Sequence, residues 1–323
     1  MTLQDSMDWF ERLTGFKEGD YGDTQRKLCI DGKTLRSLVN DRSYGIGDLE
    51  VVSLQELRER GRSNTQAGGQ LRVRVVRGDV RELHRLPEFS RALFQVASQF
   101  NLLEMTGPKV APEDGVSRYE WDKTQGPACA IAAGAATIYR NYFAVVGDQM
   151  GQTRQRQIDC LTGVGVALSE VLGVPVSSLW TMHNGYAECS PTGLDSIARW
   201  IGSASAEEQE SIRAKLCIGV HWDVEVTEAD VADRAVVSQA FCSALPVSYY
   251  PHISPKHWRA FASLVLEAAY EATMWAAVAN AQRSGSNIVL LTRLGGGAFG
   301  NDEEWIQRAM RRALRLTADF DLD

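Results

Sequence analysis

The sequence predicts an α/β protein in which helices cover a central sheet. In the C-terminal half, short β-branched and aromatic runs alternate with helical patterns, which is the arrangement of an α/β sandwich. The chain has 323 residues, of which 44% are hydrophobic, enough for one large or two ordinary domains with a real core. Residues 1–70 are polar and rich in Arg, Asp and Gly. We expect them to form an N-terminal extension packed on the core.

The N-terminal half offers fewer regular patterns. Residues 7–13 and 54–62 are typical of short helices, and residues 62–69 of a turn or linker. Residues 71–76 alternate apolar and basic side chains, which predicts a half-buried strand, and a more apolar strand is expected at 92–101. Long loops inside a compact domain usually carry function, so the Pro-, Gly- and charge-rich segment 106–126 is a candidate functional loop. Helices are expected at 128–143 and 155–172.

The C-terminal half is more regular. Apolar runs predict strands at 179–182, 217–227 and 236–250, with a helix at 205–215 between them. Ser254-Pro255 places Ser at the N-cap and Pro at the first position of a long helix that reaches about residue 283. A strand at 287–294, a glycine loop and an amphipathic helix complete the chain.

Composition and charge exclude several classes of function. The net charge is −7, which argues against a general nucleic-acid or membrane binder. The six cysteines and five histidines show no metal-ligand spacing, so we expect no metal and no cofactor. The first residues lack a signal pattern, and no apolar run approaches the roughly 18 residues of a membrane span. We expect a cytoplasmic protein.

The most informative motif is the glycine loop near the C-terminus. A β-branched run, 288–294, enters Gly295-Gly-Gly-Ala-Phe-Gly-Asn301, and a helix follows. This layout aims backbone N–H groups at an anion, usually a phosphate. The loop satisfies GxGxxG, but no second half of a dinucleotide-binding unit follows it, and Lys-Ser/Thr of a P-loop is missing. A glycine-rich turn without a ligand is the alternative.

The strand, glycine loop and helix resemble the second phosphate-binding loop of the macrodomain superfamily, most closely its microbial poly(ADP-ribose) glycohydrolase branch. Two further segments agree in chain order: Gly78-Asp79-Val80 and Phe100-Asn101. The resemblance implies a three-layer sandwich with a mixed central sheet over residues 71–323, with an insertion near 175–225. It also implies that Asp79 contacts adenine, that Asn101 faces the distal ribose, and that the loop binds the pyrophosphate.

The chain departs from this branch in the catalytic segment. Where the family has Gln-Glu-Glu, register places Gln125, Gly126 and Pro127. Cleavage of a ribosyl bond needs an acid or base near the anomeric carbon, and loop carboxylates are the candidates. They are Glu104, Glu113, Asp114, Glu120 and Asp122, of which Asp122 lies closest to Gln125 in sequence.

We therefore expect a protein that binds ADP-ribose or an ADP-ribosylated macromolecule and hydrolyses an ADP-ribosyl bond. The alternative is a binding module without turnover, which the missing Gln-Glu-Glu favours. Thr124 to Pro127, at a helix start, form a second candidate anion site. The expected catalytic residues are Asn101, Asp122 and Gln125. The expected ligand-binding residues are Asp79, Val80, Glu104, Thr124, Gly126, Gly295, Gly296, Gly297, Ala298, Phe299, Gly300 and Asn301.

Overall fold

The computed structural model describes residues 7–63, 68–228, 235–283 and 285–323. In this part of the chain the α-helices are α1 (Trp9–Thr14), α2 (Tyr21–Arg26), α3 (Leu54–Ser63), α4 (Val80–Leu83), α5 (Gln125–Ala132), α6 (Gly134–Tyr142), α7 (Thr162–Leu172), α8 (Pro191–Ser203), α9 (Ala206–Arg213), α10 (Pro255–Gln282) and α11 (Glu303–Leu316). The strands are β1 (Leu28–Asp31), β2 (Thr34–Ser37), β3 (Ser43–Gly45), β4 (Asp48–Ser53), β5 (Leu93–Ala97), β6 (Val145–Val146), β7 (Gln149–Met150), β8 (Trp180–His183), β9 (Tyr186–Cys189), β10 (Cys217–Glu225), β11 (Val236–Cys242) and β12 (Val289–Leu290).

The central sheet has five strands in the order β12, β5, β11, β10, β4. Strand β5 pairs in parallel with both β11 and β12, whereas β10 is antiparallel to β11 and β4. The sheet is therefore mixed, as expected. Because β5, β11 and β12 run in the same direction, their carboxyl ends meet at one edge, which is where ligands bind in open α/β sheets.

Side chains of the central strands alternate between two helical layers. On one face, the Gln95 amide donates to the Thr273 hydroxyl of α10 (2.9 Å) and Ser238 donates to Asn280 of α10 (3.1 Å). On the other face, the Gln239 amide donates to the Cys129 carbonyl of α5 (2.9 Å). This alternation is the period of two of a β-strand, with a helix layer on each side. The three-layer α/β sandwich is confirmed.

Helix α10 forms the centre of the larger layer. Its N-cap residue is Ser254 and Pro255 occupies its first turn, as the sequence predicts. Most of its residues from Trp258 to Asn280 are buried, because the helix lies between the sheet and the neighbouring helices α3, α8 and α11. The helices expected at 205–215 and after the glycine loop are also confirmed, as α9 and α11.

Residues from the N-terminal region join the main fold in two ways. Strand β4 is the outer strand of the central sheet, and β1 to β3 form a separate small sheet. Helix α1 buries Trp9 and Phe10 in a cluster with residues of α5 and α6. A boundary at residue 70 stays a prediction, as does the division into an extension and a core.

The prediction of a strand at 71–76 is wrong. These residues are all described and belong to no strand. Val73 is 66% exposed and Val75 is 90% exposed, so the alternating pattern has no apolar surface to cover. The segment is instead held by the C-terminal tail, through hydrogen bonds from the Leu71 and Arg72 amides to the carbonyls of Ala318 and Leu322.

The segment expected to be an insertion, 175–225, contains the β8–β9 hairpin, α8, α9 and strand β10. Part of the expected turn at 62–69 lies outside the described residues. No described helix is long and apolar enough to span a membrane.

Candidate functional site

A cleft with an enclosed volume of about 140 Å³ lies at the carboxyl ends of β5, β11 and β12. The walls come from the end of β5, the segment 104–106, the start of α5, the β8–β9 hairpin and the glycine loop. The lining residues are Ala97, Ser98, Gln99, Glu104, Met105, Thr106, Asp122, Thr124, Gln125, Gly126, Pro127, Tyr186, Ala244, Tyr249, Thr292, Arg293, Leu294, Gly295, Gly297, Ala298 and Phe299.

The glycine loop has a fixed conformation. Its turns are closed by hydrogen bonds from the Gly300 amide to the Gly297 carbonyl (3.0 Å) and from the Asn301 amide to the Gly295 carbonyl (2.9 Å). Gly295 and Gly300 have φ angles of 73° and 67°, in the left-handed region that favours glycine. A Cβ atom at Gly300 would also overlap the Ser248 hydroxyl. The sequence therefore needs glycine at both positions.

Three successive backbone N–H groups of this loop are free. Within the described residues, those of Gly297, Ala298 and Phe299 donate no hydrogen bond. All three residues line the cleft, and a Cβ atom at Gly297 would meet nothing within 4 Å. Successive N–H groups in a glycine turn form a concave site for an anion. The free N–H groups therefore make this loop a candidate anion site.

The first turn of α5 forms another part of the wall. Thr124 is its N-cap residue, and its hydroxyl makes no capping bond. The turn packs closely on the end of β5. A Cβ atom at Gly126 would overlap the Ala97 carbonyl, so only glycine fits there. The N-terminus of a helix favours negative charge, so both parts of the wall suit an anionic ligand.

Gln125 has a structural partner at each end of its side-chain amide. Its Oε1 accepts from the Ala97 amide (2.9 Å), and its Nε2 donates to the Gln95 carbonyl (2.8 Å). Strand β12 pairs only with Leu93 and Phe94 of β5. Beyond that point the Gln125 side-chain amide takes the place of a neighbouring strand and pairs with the backbone of Gln95 and Ala97. Gln125 lines the cleft but uses both polar groups to hold α5 against the sheet.

Asp122 is the half-buried carboxylate at the mouth of α5. Its Oδ1 accepts from the Thr124 amide (2.8 Å), and its other oxygen accepts no hydrogen bond from any described residue. One carboxylate oxygen is therefore free to bind water or a hydroxyl group in the cleft.

Glu104 lies beneath the first turn of α5 with its side chain fully enclosed. Burial raises the pKa of this carboxyl to about 7, although the Arg140 guanidinium, 3.5 Å away, favours the charged form. Its Oε2 has no hydrogen-bond partner among the described residues. Arg140 is itself buried over the Phe241 ring and donates to the Leu102 carbonyl (3.0 Å). The guanidinium therefore forms a buried ion pair with Glu104.

Three aromatic rings form a cluster on the cleft wall. Tyr186, Tyr249 and Phe299 have centroids 5.4 to 5.7 Å apart. They come from β9, a 3₁₀ turn and the glycine loop, and only Phe299 was expected at the site. Their sequence positions share no motif, so the fold alone brings them together. Such a cluster suits a sugar or base face.

The remaining expected residues lie outside the lining. Asp79 is exposed and its carboxylate accepts from the Arg81 amide (2.8 Å), at the start of α4 with Val80. Asn101 is fully buried and its amide donates to Gln157 (2.8 Å). Asn301 is buried, and its amide donates to the Leu245 carbonyl (2.8 Å), which fixes the glycine loop. Gly296 and Gly300 shape that loop without lining the cleft. The roles expected for these residues stay predictions.

No protein-family model and no curated protein matches the sequence. A search of solved structures finds the poly(ADP-ribose) glycohydrolase of Deinococcus radiodurans, solved in complex with ADP-ribose. The match covers 85% of this chain and 84% of that chain, with 11% identity and a TM-score of 0.43. A likeness of this size leaves the function to be argued from this chain's own residues.

Proposed function

We propose that the chain binds ADP-ribose or an ADP-ribosylated macromolecule in the cleft and hydrolyses the ADP-ribosyl bond. The observation that carries the proposal is the set of free N–H groups at Gly297, Ala298 and Phe299. In the proposed complex they bind the pyrophosphate. The start of α5, which also lines the cleft, adds a second positive pole.

The cleft also offers partners for the sugars. The aromatic cluster of Tyr186, Tyr249 and Phe299 packs against a ribose or base face beside the pyrophosphate. Asp122 is then the carboxylate at the scissile bond, where its free oxygen activates water for attack on the anomeric carbon. We retain Asp79 as the proposed adenine partner and Val80 as a further ligand-binding residue.

A specific observation favours the second candidate, a binding module without turnover. Of the three residues expected to be catalytic, Asn101 and Gln125 have side chains engaged in structural hydrogen bonds. Only Asp122 keeps a free polar atom in the cleft. In the proposed mechanism turnover depends on the Asp122 carboxylate, and its removal separates the two candidates.

Calorimetry with ADP-ribose tests the shared part of both candidates. We expect saturable heat and a raised melting temperature; no heat and an unchanged melting temperature would contradict both. Incubation with ADP-ribosylated protein, nucleic acid and polymer then tests turnover. Released ADP-ribose that disappears in Asp122→Asn, with ADP-ribose affinity retained, supports the hydrolase. Absence of release from every substrate leaves the binding module.

A further inference from the structure

The loop that carries Asp122 is held in place by the N-terminal segment. It runs from Gly115 to Thr124 and contains the 3₁₀ helix Ser117–Trp121. We call these ten residues the carboxylate loop. Two glutamates fix its two ends, and each bridges parts of the chain about 100 residues apart in sequence.

Glu18 holds the start of the carboxylate loop. Its Oε1 accepts from the Val116 amide (2.9 Å) and its Oε2 from the Ser117 amide (2.6 Å). Oε1 also accepts from the Tyr142 hydroxyl (2.7 Å), which ties the same carboxylate to α6. These amides open the 3₁₀ helix, so Glu18 acts as a cap supplied by a distant part of the chain.

Glu120 holds the other end, two residues before Asp122. Its Oε2 accepts from the Trp9 amide at the start of α1 (2.8 Å) and pairs with Arg12 of the same helix (3.2 Å). Arg81 approaches its Oε1 from α4, at 3.7 Å. Between the two anchors, the buried Tyr119 accepts from the Glu104 amide through its hydroxyl (3.0 Å).

The position of Asp122 depends on these contacts. Its amide donates to the Tyr119 carbonyl (3.1 Å), so the position of its backbone depends on the anchored turn. The rest of the residue is restrained only by the bond from Thr124 to its carboxylate. A change that frees either end of the carboxylate loop therefore moves the carboxylate relative to the cleft, while the glycine loop stays in place through its own hydrogen bonds.

We propose that the N-terminal segment belongs to the catalytic apparatus, with Glu18 and Glu120 as positioning residues for the carboxylate of Asp122. The proposal rests on the proposed hydrolase function. It assigns a role to the first residues of the described chain. The motifs of the glycine loop and of α5 give no role to these residues. It also separates the two tasks of the cleft: the glycine loop binds, and the anchored carboxylate loop sets the rate.

The test compares Glu18→Gln and Glu120→Gln with the unaltered protein. Each substitution keeps an acceptor oxygen and removes the charge and the second acceptor. We expect kcat for release of ADP-ribose to fall by about 10- to 100-fold, because a shift of about 1 Å at a reacting group has effects of that order. KM and the Kd for ADP-ribose are expected to change by less than about two-fold, since the lost interaction acts on the chemical step.

Glu11→Gln is the matched control, because Glu11 is on α1, carries the same side chain, and among the described residues forms no side-chain hydrogen bond or ion pair with the carboxylate loop. Its kcat should equal that of the unaltered protein. Amide exchange at Val116 and Ser117 provides a second readout: it should accelerate in Glu18→Gln and stay unchanged in Glu11→Gln.

The outcomes separate this proposal from the proposed function. If the unaltered protein releases no ADP-ribose, the hydrolase function is overturned, and this proposal with it. If the unaltered protein is active and both variants keep its kcat, only the positioning role is overturned. A fall in kcat accompanied by an equal loss of ADP-ribose affinity would also overturn it, because the carboxylate loop would then be serving binding.

Discussion

Gly297 allows a sharp test of the anion site, because the position tolerates a side chain sterically. A Cβ atom there meets nothing within 4 Å, and its φ angle lies outside the left-handed region. Gly297→Ala should therefore fold normally and bind ADP-ribose nearly as well as the unaltered protein. Gly297→Glu should also fold, but it places a carboxylate beside the free N–H groups that are proposed to bind the pyrophosphate.

The size of the effect follows from Coulomb repulsion. Two like charges about 4 Å apart repel by about 1 kcal/mol in water and about 4 kcal/mol at the dielectric typical of a protein surface. The loop is partly exposed, so we expect a loss of affinity between about five-fold and several hundred-fold, at roughly 1.4 kcal/mol per factor of ten. The doubly charged pyrophosphate and direct blocking by the longer side chain move the result toward the upper end.

Calorimetry of the three proteins at one salt concentration measures this effect. The alanine variant controls for loss of glycine at the position, and its melting temperature should match that of the unaltered protein. High salt should recover part of the lost affinity of Gly297→Glu, because exposed charges are screened. Equal affinities in all three proteins would refute the placement of the pyrophosphate on this loop.

Three further predictions concern stability and turnover. The pKa of Glu104 is raised from 4.5 to about 7 by burial, so the folded protein holds this proton more tightly than the unfolded chain. Its contribution is present below about pH 4.5 and is lost as pH rises through 7, at most roughly 3 kcal/mol at about 1.4 kcal/mol per pH unit. Urea unfolding at pH 5 and pH 8 should show this loss in the unaltered protein and not in Glu104→Gln; parallel pH profiles would contradict it. Gly300→Ala should lower the free energy of unfolding by about 2–5 kcal/mol, from left-handed strain and overlap with Ser248, and stability equal to that of Gly297→Ala would count against the loop geometry. Asp122→Asn should remove most ADP-ribose release with little change in ADP-ribose affinity, and full activity would reject it as the catalytic carboxylate.

The elements with strong local signals are the ones that the sequence predicts well. Helix α10 carries its own start signal in Ser254-Pro255 and an apolar pattern over its whole length. The glycine loop is equally local, because positive φ angles at Gly295 and Gly300 demand glycine whatever the surroundings. The cleft therefore contains Gly295, Gly297, Ala298 and Phe299 as expected. The strand expected at 287–294 is shorter than predicted and covers only Val289–Leu290.

Long-range partners account for what the sequence does not predict. Nothing beside Gln125 in the chain indicates that its amide completes the edge of β5, so a catalytic role was the natural interpretation. Tyr186 and Tyr249 reach the cleft from separate segments, and only the fold shows that they contact Phe299. The alternating pattern at 71–76 failed for a related reason: alternation predicts a strand only where a neighbouring surface exists to bury one face.

The same limitation applies to the N-terminal region. Its polar composition predicts an extension, but composition gives no sign that Glu18 caps the turn at Ser117 or that α1 meets Glu120. Charged residues of this kind are usually solvated, and their contacts follow from tertiary packing alone. The carboxylate loop thus connects the N-terminal region, whose sequence shows few regular patterns, to the start of α5 in the cleft.

A diffraction structure of the protein with bound ADP-ribose tests the central claim most directly. We predict density for the ligand in the cleft at the carboxyl ends of β5, β11 and β12. Its pyrophosphate oxygens should lie within hydrogen-bond distance of the amides of Gly297, Ala298 and Phe299, with the distal ribose toward Asp122. Ligand density elsewhere on the protein, or a pyrophosphate that makes no contact with these three amides, would contradict the account.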